Sequence, residues 1–204
     1  IVLDDKVVGI RSFRDDLMIF CVNSIYKLQN INDASNIRIV PVTKNVGCMD
    51  GNSIQEIAGD LVFLSPDGLR TIAGTTRIGD VELGSVSRAI QSIIGNIAEE
   101  IDDFVISSAV LRSKSQYRLF YSKSDASTAA SKGIIGTITP NGFEWSETEG
   151  IQAHALTSGL DKDGLEQTYH GDKDGFVYNH DDGNSFNPAG TATDISARYE
   201  TPFL

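Results

Sequence analysis

Apolar and polar residues alternate with period two along most of the chain, and turn signals interrupt the alternation at intervals, the pattern of half-buried antiparallel strands. The first hairpin climbs through Asp16, Leu17, Met18, Ile19 and Phe20, turns at Asn23-Ser24 and returns through Ile25, Tyr26 and Leu28. A second rises from Asp60 through Leu61, Val62, Phe63 and Leu64 and returns through Leu69 and Ile72. Its turn is Ser65-Pro66-Asp67-Gly68, where Pro66 presets φ, Asp67 bonds the local backbone and Gly68 tolerates positive φ. A third pairs Tyr117 to Tyr121 with Ile134 to Ile138, across a Ser-, Ala- and Lys-rich stretch at 122–133 expected to be a mobile loop tip. The fourth pairs Glu166 to His170 with Phe176 to Tyr178 over Gly171-Asp172-Lys173-Asp174-Gly175. Further strands are expected over 6–13, 37–42, 104–111, 143–145 and 151–157.

Hairpin starts at Asp16, Asp60, Tyr117 and Glu166 are 44, 57 and 49 residues apart. A period of about 40–50 residues, with a central hairpin and flanking strands, is the spacing of propeller blades. The expected fold is therefore all-β: β-propeller-like repeats of antiparallel strands, about four blade-like units. They would form one propeller domain over 1–204 or a segment of a longer chain. A sandwich fits the same spacing, because the units match in pattern and not in residue identity.

One stretch departs from period two. Val86, Ile90, Ile93, Ile94, Ile97 and Ile101 follow helical spacing and predict an inserted amphipathic helix over about 85–100. Ser85 is a suitable N-cap, Arg88 stands where a capping box wants an acid or amide, and Gly95 costs about 1 kcal/mol relative to Ala. Such a helix needs a tertiary partner, either its own propeller or a neighbouring subunit.

Composition changes the picture little: 204 residues, 40% hydrophobic and 22% charged, suffice for one packed core. No apolar run reaches the roughly 18–20 residues of a bilayer span, and the N-terminus lacks the order of a signal peptide, so no membrane insertion is expected. The chain opens at Ile1 and stops at Leu204 in an extended-looking segment, and is expected to be a piece of a longer polypeptide. Charge says more. A net charge of −11 argues against a basic groove that grips phosphates. An acidic wall instead lets a duplex slide past without sticking, although solubility accounts for the same charge.

Candidate chemistry is sparse. Cys21 and Cys48 have no CxxC spacing and are expected to be reduced thiols. Asp161-Lys162-Asp163-Gly164, Asp172-Lys173-Asp174-Gly175 and Asp181-Asp182-Gly183-Asn184 lack the order of an EF-hand loop and are expected to be Asp-Gly turns at hairpin tips. His154, His170 and His180 show no metal-ligand spacing. The sequence has no GxSxG elbow, no P-loop and no GxGxxG after a strand. Ser65-Pro66-Asp67-Gly68 is similar to a sialidase Asp-box turn without its spacer or its Trp. Trp145, the only tryptophan, is expected to pack in the core or a hairpin. A glycosidase pair assembled from carboxylates on distant blades stays open. No catalytic, cofactor-binding or metal-ligating residue is assigned.

The order of parts from Val46 to Leu69 is a run of structural turns and strands that propellers of other origin could share. Val46-Gly47-Cys48-Met49-Asp50-Gly51-Asn52-Ser53-Ile54 precedes Ala58-Gly59-Asp60-Leu61-Val62-Phe63-Leu64-Ser65-Pro66-Asp67-Gly68-Leu69. This resembles a segment of the tail tubular and DNA-stabilisation proteins of short-tailed bacteriophages: a Gly-Cys turn, a Ser before an apolar position, and a strand ending in an Asp-Gly hairpin. A link into a helix that starts like Gly84-Ser85-Val86-Ser87-Arg88 follows. Asn23-Ser24-Ile25-Tyr26-Lys27-Leu28 is similar to the family's preceding hairpin return, and Ala197-Arg198-Tyr199-Glu200-Thr201-Pro202-Phe203-Leu204 to its exit from the propeller. The resemblance implies a structural virion protein and not an enzyme. It would sit in a homo-oligomeric ring, a hexamer, forming the tail nozzle or hub beneath the portal-adaptor complex, made in the host cytoplasm and passing DNA without specific binding. Two rivals remain: a propeller that binds or degrades glycans, and a propeller scaffold unrelated to phage that recruits a partner through the 85–100 helix or the 122–133 loop.

Overall fold

A computed structural model describes residues 3–73, 87–127, 130–183, 185 and 191–198. The chain is mostly β, in four antiparallel sheets of hairpin-linked strands, each sheet formed by consecutive strands in chain order. Sheet A holds β1 (Val7–Phe13), β2 (Asp16–Cys21), β3 (Ile25–Gln29) and β4 (Arg38–Thr43). Sheet B holds β5 (Gln55–Ile57), β6 (Asp60–Ser65) and β7 (Gly68–Thr71). Sheet C holds β8 (Phe104–Leu111), β9 (Gln116–Lys123), β10 (Lys132–Thr139) and β11 (Gly142–Glu149). Sheet D holds β12 (Ala155–Leu160), β13 (Glu166–Gly171) and β14 (Val177–Asn179).

Side-chain parity decides which sheets meet. On β2, Met18 and Phe20 point toward sheet B and join Phe13, Ile25, Leu61 and Phe63 in one core, with the Phe20 and Phe63 rings 5.2 Å apart. Ile19 and Cys21 point the other way, to Tyr26, Leu28 and Ile39. On β6, Leu61 and Phe63 face sheet A, while Val62 and Leu64 face a second core shared with sheet C. Sheet B is thus buried on both faces, and Leu61 to Leu64 therefore reads as an unbroken apolar run.

The helix α1 (Gln91–Glu99) supplies Ile94 and Ile97, both 0% exposed, to the core between sheets B and C. A 3-10 turn, Arg88–Ile90, leads into it. Ser85 and Val86, the expected cap and first apolar position, lie outside the described residues. Ser87 makes no cap; its hydroxyl accepts the backbone N–H of Leu69 at 2.9 Å and so ties the helix entry to β7. The partner that the sequence demanded is this chain's own sheets.

Three expectations are corrected, and one strand is additional. β5 was not anticipated: three residues, Gln55-Glu56-Ile57, are too short to display alternation. β9 and β10 run to Lys123 and from Lys132, so both ends of the expected 122–133 loop are strand. β11 extends to Glu149, past the expected 143–145, because its exposed side is polar and carries no apolar mark. The last expected strand, 151–157, begins only at Ala155; Gln152 and Ala153 precede it as buried irregular chain. The second hairpin turns on Pro66-Asp67 alone, with Ser65 opposite Gly68, and the Asp67 carboxylate is bound by Arg70.

Sheets C and D meet differently. Their shared surface is rich in polar bonds: Ser107 Oγ donates to Ala153 O and Ser158 Oγ to Val110 O, both at 2.6 Å. The Glu166 carboxylate accepts the backbone N–H groups of Arg112 and Ser113 at 2.9 and 2.8 Å. None of the described helices is long and apolar enough to cross a membrane.

Candidate functional site

The segment 46–54 links sheet A to sheet B, and nearly every group in it is committed to a neighbouring element. Gly47 lies flat against the Val22 carbonyl; a Cβ there would stand 1.9 Å from that oxygen, so only glycine fits. Cys48 N–H donates to Cys21 O at 2.9 Å, and Met49 N–H to Leu64 O at 2.9 Å. Asp50 caps the 3-10 turn Gly51–Ser53 by accepting from Asn52 N–H at 2.6 Å. Ser53 Oγ donates to Asp50 O at 2.6 Å and accepts from Leu64 N–H at 3.0 Å. The Tyr117 hydroxyl, from β9, donates to Ser53 O at 2.8 Å, and Ser108 of β8 donates to Asn52 O. Sheets A, B and C are therefore pinned at one junction.

Both thiols are free and buried. Burial pushes the Cys48 thiol up to about 12, outweighing its bonds with Ser53 and the Asp50 carbonyl. It is a protonated packing group at neutral pH and no nucleophile.

Beside the junction, the edge strands β1, β5, β8 and β12, one from each sheet, converge on a cleft of about 320 Å³. β1 contributes Arg11 and Ser12, and β5 contributes Gln55 and Glu56. Ser108 and Val110 come from β8, with Arg112 just beyond it, and Leu156, Thr157 and Ser158 from β12. Arg11 is fixed by donating to the carbonyls of Ile10 and Gly51, each at 3.0 Å, and also lines a second cavity of about 250 Å³ with Asp50 and Asn52. Gln55 bridges to β8 through Ser108 O at 2.9 Å. Among the described residues, Glu56 is the one carboxylate in the cleft's lining, and a single carboxylate does not make the pair of a glycosidase.

The third cluster joins sheets C and D. Arg118, 4% exposed on β9, binds the Asp181 carboxylate at 2.7 and 3.3 Å, and Lys114 binds the same carboxylate at 2.7 Å. Burial pushes the Asp181 carboxyl up, but these bonds outweigh it and hold it at about 2. Arg118 also lies 3.4 Å from His180 Nδ1, and His180 Nε2 lies 2.7 Å from His170 Nδ1. A guanidinium only donates, so His180 Nδ1 accepts, its Nε2–H donates to His170 Nδ1, and His170 carries its proton on Nε2. Both rings are neutral in this chain of bonds. Burial, then the neighbouring His170 and Arg118, holds His180 down at about 4; burial lowers His170 as well, against the pull of Asp172. His170 stacks on Tyr178, and His180 meets Phe120 edge-on.

The three Asp-Gly clusters divide. Asp161 and Asp172 sit at hairpin tips in matching turns, each Oδ1 accepting N–H groups two and four residues on. Gly164 and Gly175 hold φ of +77° and +87° there. Asp181 is no hairpin tip: it turns inward to Arg118, and Asn184 lies outside the described residues. Trp145 stacks on Phe143 at 5.2 Å, over Gly136, as a packing residue. Among the described residues, no three His, Cys, Asp or Glu side chains form a metal-binding group.

The sequence matches no protein-family model and no curated protein.

Proposed function

We propose that this chain is the blade-bearing part of a β-propeller in the tail of a short-tailed bacteriophage, a structural element of the nozzle or hub ring that retains the genome and then conducts it. The observation that carries the reading is the junction. The residues whose order resembles the tail tubular proteins, Gly47-Cys48 through Ser53 and then Asp60 to Leu69, are those that pin three successive sheets together. Sheets of consecutive antiparallel strands, each contributing an edge strand to one cleft, support the propeller geometry.

In this reading the protein works by assembly. Its partners are further copies of itself in a closed ring, six by the resemblance, and the portal-adaptor and other tail proteins. It is made in the host bacterial cytoplasm and ends in the virion tail. A net charge of −11 keeps a lumen wall from holding DNA phosphates during ejection. Immunogold electron microscopy of the virions tests the placement. Antibodies raised against this chain label the tail below the capsid vertex if the reading is right; label confined to capsid shells, or found only on non-virion material in the lysate, sinks it.

A further inference from the structure

We propose that the cleft where β1, β5, β8 and β12 converge is a binding site for a carboxylated saccharide, whose carboxylate is gripped by Arg11 and Arg112. The site borders the junction and shares Ile54 and Ser108 with it, and the inference stands whether or not the tail reading does.

In a chain of net charge −11, two guanidiniums line one cleft, and among the described residues neither makes a salt bridge, although the Glu166 carboxylate held by the Arg112 and Ser113 backbone N–H groups is near enough to feel the Arg112 charge. Arg11 is held in place by two backbone carbonyls, and it lines the cleft with further N–H groups that neither carbonyl uses. A guanidinium presents its donors as a planar fork that matches a carboxylate bidentately, and a fixed fork loses little freedom on binding.

The rest of the lining selects the ligand class. Ser12 on β1 and Thr157 on β12 both line the cleft, and among the described residues their hydroxyls make no side-chain hydrogen bond. Hydroxyls of this kind, with the Glu56 carboxylate, are suited to a sugar's hydroxyl groups, each able to donate and accept. Glu56 also discriminates among anions: beside it, a singly charged carboxylate is repelled less than a phosphate dianion. The volume of about 320 Å³ is at the small end of ligand pockets, which run from about 300 to 1,000 Å³, and suits one or two sugar units. With one carboxylate in the lining, the site binds and does not cleave.

The test is an NMR titration of the whole chain at low salt and neutral pH with glucuronate, glucose and inorganic phosphate as separate probes. Saturable shifts with glucuronate, centred on Arg11, Arg112 and Thr157 and absent with glucose, are expected. Arg112→Gln should weaken glucuronate by about tenfold or more, the loss of a charge-assisted pair. Thr157→Val, on β12, is the second variant should Arg112→Gln disturb the fold, and weakens glucuronate to a smaller extent. Absence of saturable binding, glucuronate affinity unchanged in both variants, or phosphate binding as tightly as glucuronate overturns the proposal.

Discussion

His170 and His180 behave at the residue scale as a pair that only the neutral state satisfies. A proton on His180 Nδ1 would point at Arg118, and one on His170 Nδ1 would point at the His180 N–H. Both rings have folded-state values below the ordinary 6.5, that of His180 at about 4. The unfolded chain therefore takes up protons first as pH falls, and the stability these rings contribute is complete above about 6.5 and drains away toward pH 4. Thermal midpoints of the native chain and a His170→Gln/His180→Gln variant, measured from pH 7.5 to 4, check this. The native midpoint should fall relative to the variant's across that window, and parallel curves would refute it. The pair was invisible as a motif because its spacing is set by a hairpin: His180 N–H bonds Thr168 O, which places residues 168, 170, 178 and 180 on one face. With the register of the Asp172 turn in hand, parity alone would have found it. Arg118 and Asp181 were not legible at all, because they meet across two sheets 63 residues apart.

Glycines separate what an element tolerates from what a junction requires. Gly47→Ala forces a methyl into the Val22 carbonyl and should destabilise the chain by upwards of about 3 kcal/mol, enough to prevent folding if the margin is ordinary. Gly95 is the opposite case: it sits inside α1 with nothing within 4 Å of an added Cβ. Gly95→Ala should therefore stabilise by about 0.5–1 kcal/mol. Urea unfolding of both variants checks the pair, and a neutral Gly47→Ala would remove the junction argument. Period-two alternation marks strands with one covered face, such as β12 and β13, whereas β2, β6 and β8 are covered on both faces and read as short apolar-rich runs bounded by turn signals. Where alternation lacked length, as in β5, or lacked an apolar side, as in the outer half of β11, the sequence was silent. The contrast between interfaces was silent too: apolar between A and B and between B and C, hydrogen-bonded between C and D.

Taken as a whole molecule, the chain places its apolar surface unevenly. Among the described residues the exposed large hydrophobics, Ile195 apart, fall in or beside the first and last sheets, among them Val7, Ile10 and Ile37 at sheet A and Leu160, Tyr169 and Val177 at sheet D; none of them lies in sheets B or C. Sheet B is covered on both faces, while the first and last sheets expose apolar side chains of the kind that mark contact surfaces. The spacing of 44, 57 and 49 residues between hairpin starts carried the count of four units. It carried nothing about the cleft, because Arg11, Glu56, Arg112 and Thr157 meet only once four edge strands converge. The claim that these sheets belong to a tail ring is tested most directly by negative-stain electron microscopy of the polypeptide carrying this chain, alone and mixed with its portal-adaptor complex. The account predicts closed rings that dock coaxially on the complex, and dispersed monomers that ignore it would contradict the account.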